Sequence, residues 1–209
     1  TRRGRCASEP GLTGEFNPMK KLLILTLIMI TAVGCARSGT GLPAGDGAAS
    51  QVSVVVKVGE QRLYLVRGGK VVKEYPVSTS KYGVGSKAGS LKTPLGKHRV
   101  AEKIGGGAPL YTIFKERVNT GKLAVIDRTL KGAAYDDVTT RILWLEGMEP
   151  GVNRGRGIDS KERFIYIHGT PSEGLIGRPA SNGCVRMYNK DVVELFDQMH
   201  AGDAVLITD

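Results

Sequence analysis

Hydrophobic and polar positions follow two periods along this chain. The stretch VSVVVKVGEQRLYLVRGGKVVKEYPVSTS is rich in β-branched residues and is interrupted at Gly59-Glu60 and Gly68-Gly69. That pattern predicts three short antiparallel strands joined by tight turns. HRVAEKI predicts another strand between loops rich in glycine and proline, and RILWLEGM (141–148), RFIYIHG (163–169) and AVLITD predict three more. AVIDRTL (124–130) fits no period. DVVELFDQMH alone carries helical spacing, with Val192, Val193, Leu195, Phe196 and Met199 on one side. Many short strands, frequent turn signals and one helix near the C-terminus predict a mainly β fold, a β-sandwich or barrel-like domain.

Ahead of this region the pattern is different. Residues 1–18 show neither period and are read as an upstream extension. From Met19 the chain reads MKKLLILTLIMITAVGC: two lysines, an apolar run from Leu22 to Ile30, then small residues up to Cys35. The run is short of the roughly 20 apolar residues of a spanning helix, and it fits a secretory signal peptide over 19–35. Ala32-Val33-Gly34-Cys35 resembles a lipobox, which favours a lipid-anchored product at Cys35 over a soluble periplasmic one. Residues 36–50 (ARSGTGLPAGDGAAS) have the composition of a flexible tether. Residues 51–209 remain as one domain.

Charge and cysteine usage narrow the chemistry. The formal charge is +10, of which residues 1–34 hold a net +3. A basic balance attracts polyanions. The sequence has no basic helix, RNA-binding motif or zinc-finger spacing, so no nucleic-acid partner is expected, and a carboxylate-rich envelope substrate fits better. The cysteines are Cys6, Cys35 and Cys184, which leaves the 51–209 domain a single thiol. An unpaired cysteine in an exported chain is either a buried inert hydrophobe or a reactive group.

The surroundings of Cys184 favour reactivity. The apolar strand RFIYIHG delivers His168 at its end, where a rigid sheet hands over to a loop. Cys184 follows 16 residues later, inside Ser181-Asn182-Gly183-Cys184-Val185-Arg186. A glycine before the cysteine permits a sharp turn and close approach of a substrate, and successive amides there can face a developing oxyanion. Arginine and histidine nearby favour the thiolate. A metal site is the competing reading, but His98 lies mid-strand and His200 at a helix end, and no C-x-x-C or H-x-x-x-H spacing exists. No metal is expected, and His98 and His200 are read as structural or surface residues.

HG followed at a distance by S-x-G-C-x-R resembles the signature of the L,D-transpeptidase catalytic domain (YkuD-type), the cysteine transpeptidases of bacterial peptidoglycan. KTPLG (92–96) is similar to that family's TPxG segment, and the resemblance runs from QRLYLV to SNGCVRM. It implies a mainly β domain whose loops form a catalytic groove, and no cofactor. It implies that Cys184 is the nucleophile and His168 its base, that the Gly169 backbone carbonyl holds the imidazole tautomer, and that the Asn182, Gly183 and Cys184 amides hold the oxyanion. The partners it implies are peptidoglycan stem tetrapeptides, which lose D-alanine, and an acceptor amine, a wall-attached protein among the candidates. Asn182 stands where the family most often has histidine, which leaves His168 as the base.

Arg186 has two readings, as a contact for the substrate carboxylate or the thiol, and as a brace of the loop. Ser181 is carried with it on the substrate side, although its hydroxyl suits loop hydrogen bonding better than attack. Tyr82, Tyr111 and Trp144 are candidates for lining the groove, and the segment from Lys103 to Lys122 for a lid. Hydrolysis of the same acyl-enzyme is the main alternative activity, and an inert wall-binding lipoprotein the remaining one.

Overall fold

The computed structural model describes residues 52–209. The expectations for the extension, the signal peptide with Cys35 and the tether lie outside the described residues. Within them, the first three strands are β1 (Val52–Lys57), β2 (Arg62–Arg67) and β3 (Lys70–Ser78), antiparallel in sequence order and turning at the two glycine-containing breaks. After them come β4 (Gly96–Ile104), β5 (Thr112–Lys115), β6 (Val118–Leu123), β7 (Val138–Gly147), β8 (Tyr166–Gly169), β9 (Val185–Met187), helix α1 (Asn189–Gln198) and β10 (Ala204–Thr208).

The mainly β architecture with one late helix is the expected one, and its sheet closes on itself. The strand order runs β4-β10-β1-β2-β3-β9-β8-β7, and β7 pairs back to β4, while β5 and β6 continue from β7 as a hairpin outside the ring. Closure leaves no free edge in the ring. Because side chains alternate across a strand, each ring strand turns one set inward. Val54, Val56, Leu63, Leu65, Tyr75, Val77, Leu143, Leu145, Ile167, Val185 and Met187 share one core, into which α1 lays Val192, Leu195 and Phe196, with Met199 just past its end.

The helix ends are satisfied from other elements. Its first N–H, at Asn189, donates to the Glu173 carboxylate at 3.1 Å. At the other end the Lys103 ammonium donates to the Phe196 and Met199 carbonyls at 2.6 and 2.5 Å, a cation where the helix dipole is negative.

Three local differences from the pattern have physical causes. The segment 103–122, a candidate lid, takes in the β5–β6 hairpin up to its last residue, and the second strand VNTGKL is mostly exposed and carries no apolar alternation. The strand in RFIYIHG begins only at Tyr166, because the Ile165 amide turns away to the Ser160 carbonyl at 3.0 Å. β9 has three residues inside SNGCVRM, too short to show a period.

Candidate active site

The site grows from the parallel pairing of β8 with β9, in which Ile167 stands opposite Val185 and His168 opposite Arg186. Ile167, Val185 and Met187 point into the main core. Alternation therefore puts Tyr166, His168 and Arg186 on the outer face, and Cys184, one residue before β9, falls on that face beside Tyr166. Diagonal neighbours on adjacent strands lie roughly 7–8 Å apart at the backbone, within reach of larger side chains. Cys184 packs against a smaller outer cluster of Phe114, Ile142 and Tyr166.

The Cys184 thiol donates to the Phe164 carbonyl and accepts from the Tyr166 amide, each at 3.4 Å. Phe164 has φ 56°, a left-handed conformation that costs a bulky residue roughly 1–2 kcal/mol. His168 is buried, and its Nδ1 lies 2.7 Å from the Gly169 carbonyl. A carbonyl can only accept, so Nδ1 carries the proton and Nε2 keeps its lone pair. Burial, reinforced by the nearby Arg186 charge, pushes His168 down to about 4. Burial pushes the Cys184 thiol up to about 11, against the opposing pull of the Tyr166 amide, Arg186 and Arg163. Both shifts favour the neutral forms, thiol and imidazole, over the ion pair.

The loop before Cys184 is held from three sides. The Ser181 hydroxyl donates to the Cys184 carbonyl at 2.6 Å and accepts from the Gly183 amide at 3.2 Å, and the residue is fully enclosed. That geometry makes Ser181 a brace of its own loop, with no surface for a substrate. Gly183 has φ +123° while its missing Cβ would meet only ordinary contacts, so backbone conformation rather than space requires glycine there. The buried Thr93 hydroxyl, from the KTPLG segment, donates to the Gly183 carbonyl at 3.0 Å and accepts from the Ser80 amide at 3.0 Å.

Asp136 is the third support, and nothing in the sequence pattern points to it. One of its carboxylate oxygens pairs with the Arg186 guanidinium and also accepts from the Asn182 side-chain amide at 2.9 Å. Arg186 is buried with its charge already matched, by a carboxylate rather than by backbone carbonyls. Asn182 ties the same loop to the segment before β7. Gly169 is fixed by contact, since an added Cβ would come within 2.5 Å of Asn189 Oδ1 and 2.8 Å of the Thr139 carbonyl. Asn189 in turn accepts from the Thr139 and Thr140 hydroxyls and donates to the Thr170 carbonyl and Glu173.

Around the thiol stands an aromatic platform. Trp144 packs against Phe164 and Tyr166, each at 5.9 Å between ring centroids, and Tyr166 meets the His168 ring edge-on. Arg117, at the tip of the β5–β6 hairpin, lies over Trp144 and Phe164 and donates to the Tyr166 hydroxyl at 3.2 Å. Arg163 donates to the Gly85 and Lys92 carbonyls and pins the KTPLG side of the site. Of the three aromatic candidates Trp144 joins this cluster. Tyr82 is exposed beneath the Lys81 ammonium, and the Tyr111 amide bonds the Thr140 hydroxyl. His98 is buried between Gly96 and Ser160, and His200 is exposed near Asp203. Among the described residues no three His, Cys, Asp or Glu side chains gather as a metal site.

A thiol and a neutral imidazole on one face of a closed sheet are the working parts of cysteine acyl-transfer enzymes. Within that class the chain belongs to the L,D-transpeptidase catalytic domain family, YkuD, whose pattern matches residues 51–207. Similar proteins include the "Putative L,D-transpeptidase YkuD" of Bacillus subtilis (strain 168), 49% identical over 154 residues that make 74% of this chain and 64% of that one. The "Putative L,D-transpeptidase YqjB" of the same strain is 48% identical over 56 residues, 25% of this chain and 32% of the other. The chain thus spans less than two thirds of either relative. Solved structures similar to it include an L,D-transpeptidase from Mycobacterium smegmatis, with TM-score 0.46, 16% identity and coverage of 77% and 59% of the two chains. Another is from Xylanimonas cellulosilytica, with TM-score 0.45, 21% identity and coverage of 76% and 61%.

Proposed function

We propose that this chain is an L,D-transpeptidase acting on peptidoglycan stem tetrapeptides through a Cys184 thioester. The observation that carries this reading is the shared outer face of Cys184 and His168, with the His168 tautomer set by the Gly169 carbonyl. The thiol turns from the Phe164 carbonyl toward His168 Nε2. As Sγ attacks the donor carbonyl, Nε2 takes its proton, so the low basicity of the imidazole is matched by transfer within the transition state. The Gly183 backbone amide is engaged by Ser181, so the oxyanion falls to the backbone amides of Asn182 and Cys184. Collapse breaks the amide bond, and the proton on Nε2 leaves with the amine of D-alanine. An acceptor amine then attacks the thioester, gives a proton to Nε2 and restores the thiol as the new amide forms. Water in place of the amine yields the tripeptide, the carboxypeptidase or endopeptidase alternative.

The same reading places the protein at the cell wall outside the cytoplasm, exported by residues 19–35 and lipid-anchored at Cys35. Neither step calls on a cofactor. Incubation of the 51–209 domain with purified tetrapeptide muropeptides, followed by mass spectrometry of the products, tests the activity. A cross-linked dimer with loss of D-alanine is the expected result. Tripeptide alone would assign hydrolysis, and unchanged substrate together with an unacylated Cys184 would overturn both. Cys184→Ala is expected to abolish the covalent adduct and turnover, with the thermal midpoint within a few degrees of wild type.

A further inference from the structure

We infer that Arg117, at the tip of the β5–β6 hairpin, reads a carboxylate of the donor peptide while Cys184 takes its acyl carbonyl. The inference rests on the stem-peptide reading above and adds a recognition residue to it. Arg117 sits in a two-residue turn between Lys115 and Val118, which pair across the hairpin. Both turn residues are left-handed, Glu116 at φ 48° and Arg117 at φ 69°. Such turns favour Asn-Gly or Asp-Gly, and other residues there cost roughly 1 kcal/mol each. A conformation that disfavours the residues present suggests that the side chain it delivers matters.

That side chain is half-buried and preorganised. Its guanidinium carbon lies 4.7 Å from the Trp144 ring centroid and 5.0 Å from that of Phe164, and one nitrogen donates to the Tyr166 hydroxyl. Trp144, Phe164 and Tyr166 form the wall beside the thiol, and Phe164 and Tyr166 each bond Sγ through their backbone. Among the described residues no carboxylate comes within ion-pair distance of Arg117, whereas Arg99, Arg128 and Arg186 each have one. Glu102, facing Trp144 in register, is the acid placed beside Tyr166. Lys161 adds a second cation over Trp144, 5.5 Å from its centroid. On its other flank Arg117 lines an open cleft of about 510 Å³ with Gly105, Pro109, Phe114 and Asn119. One tyrosine ring from the nucleophile there is thus a cationic rim, with a planar fork held flat on aromatic faces and donors left over. A fork of that kind recognises carboxylates in two-point fashion. Stem peptides carry carboxylates within a few bonds of the scissile carbonyl.

The test compares wild type, R117Q and R117K on the tetrapeptide donor and on its fully amidated counterpart, following Cys184 acylation by mass spectrometry. R117Q is expected to raise KM for the carboxylate donor by about 10- to 100-fold, as for one charge-assisted contact, and to leave KM for the amidated donor unmoved. R117K is expected to recover part of the loss. Alkylation of Cys184 by iodoacetamide should match wild type in both variants. Equal loss on both donors would overturn the inference and make Arg117 a latch of the hairpin. A wild type acylated by neither donor, though alkylated normally, would overturn the stem-peptide reading and this inference with it.

Discussion

At the scale of single residues, the proposed chemistry turns on two groups whose neutral forms are favoured for one reason. Burial disfavours a charge on either side chain, so His168 is driven down to about 4 and Cys184 up to about 11. The consequence is a difference between two pH profiles. In the proposed mechanism His168 is the base for acylation, which is therefore expected to be level from about pH 5 upward, falling below it as the imidazole protonates. Alkylation by iodoacetamide, with no acyl carbonyl to orient, is expected to keep climbing toward pH 11 as thiolate accumulates. Stopped-flow or mass-spectrometric rates between pH 4 and 10 check this, and identical profiles would mean that Cys184 and His168 form an ion pair. The residues of this pair were legible in the sequence, because a cysteine preceded by glycine and a histidine ending an apolar strand are local features. Their protonation states were not, since burial is a property of the whole surroundings.

At the scale of elements, the Cys184 loop is a suspended structure. It hangs between Thr93 on the KTPLG side and Asp136 on the segment before β7. Asp136→Asn would leave the buried Arg186 guanidinium without its carboxylate. Loss of one partner of a buried pair costs about 3–5 kcal/mol, less where the partner is partly exposed as Asp136 is, so about 1–3 kcal/mol is expected. Asp136 also opposes thiolate formation while Arg186 favours it. The alkylation profile of Cys184 in Asp136→Asn should therefore move to lower pH, a shift that mere loosening of the loop would not produce. Chemical denaturation and alkylation rates on one preparation separate the two effects. Asp136 escaped the sequence reading because it lies 48 positions from Cys184 in a segment without period, and only the β7–β8–β9 pairing brings it across.

For the molecule as a whole, the same buried groups shape stability. His168 and His98 both have folded-state values below the ordinary histidine range, chiefly from burial. The unfolded chain therefore binds more protons in acid, and both contributions are complete above about pH 6.5 and are lost in acid, that of His168 as pH falls toward 4. Cys184 has the opposite sign, with its contribution complete below about pH 9 and lost as pH rises through 11. Urea midpoints are expected to be level from about pH 6.5 to 9 and to decline on either side. The acid slope should approach about 1.4 kcal/mol per pH unit for each histidine involved, and His168→Asn should make it shallower. A midpoint unchanged between pH 7 and 4.5 would contradict this origin.

The sequence by itself determined β1 to β4, β7, β8, β10 and the late helix, and it singled out Cys184 and His168, because each is written in residues close together: alternation, helical spacing, and glycine beside a cysteine. The tertiary structure decided what depends on residues far apart. β4 meets β7 to close the sheet, Asp136 neutralises Arg186, and Thr93 carries the Gly183 carbonyl. It also placed a polar hairpin of no legible period so that Arg117 rests on the aromatic wall beside the thiol. Local pattern reports which face of an element is apolar, and only packing settles which polar side chains meet once those faces are buried.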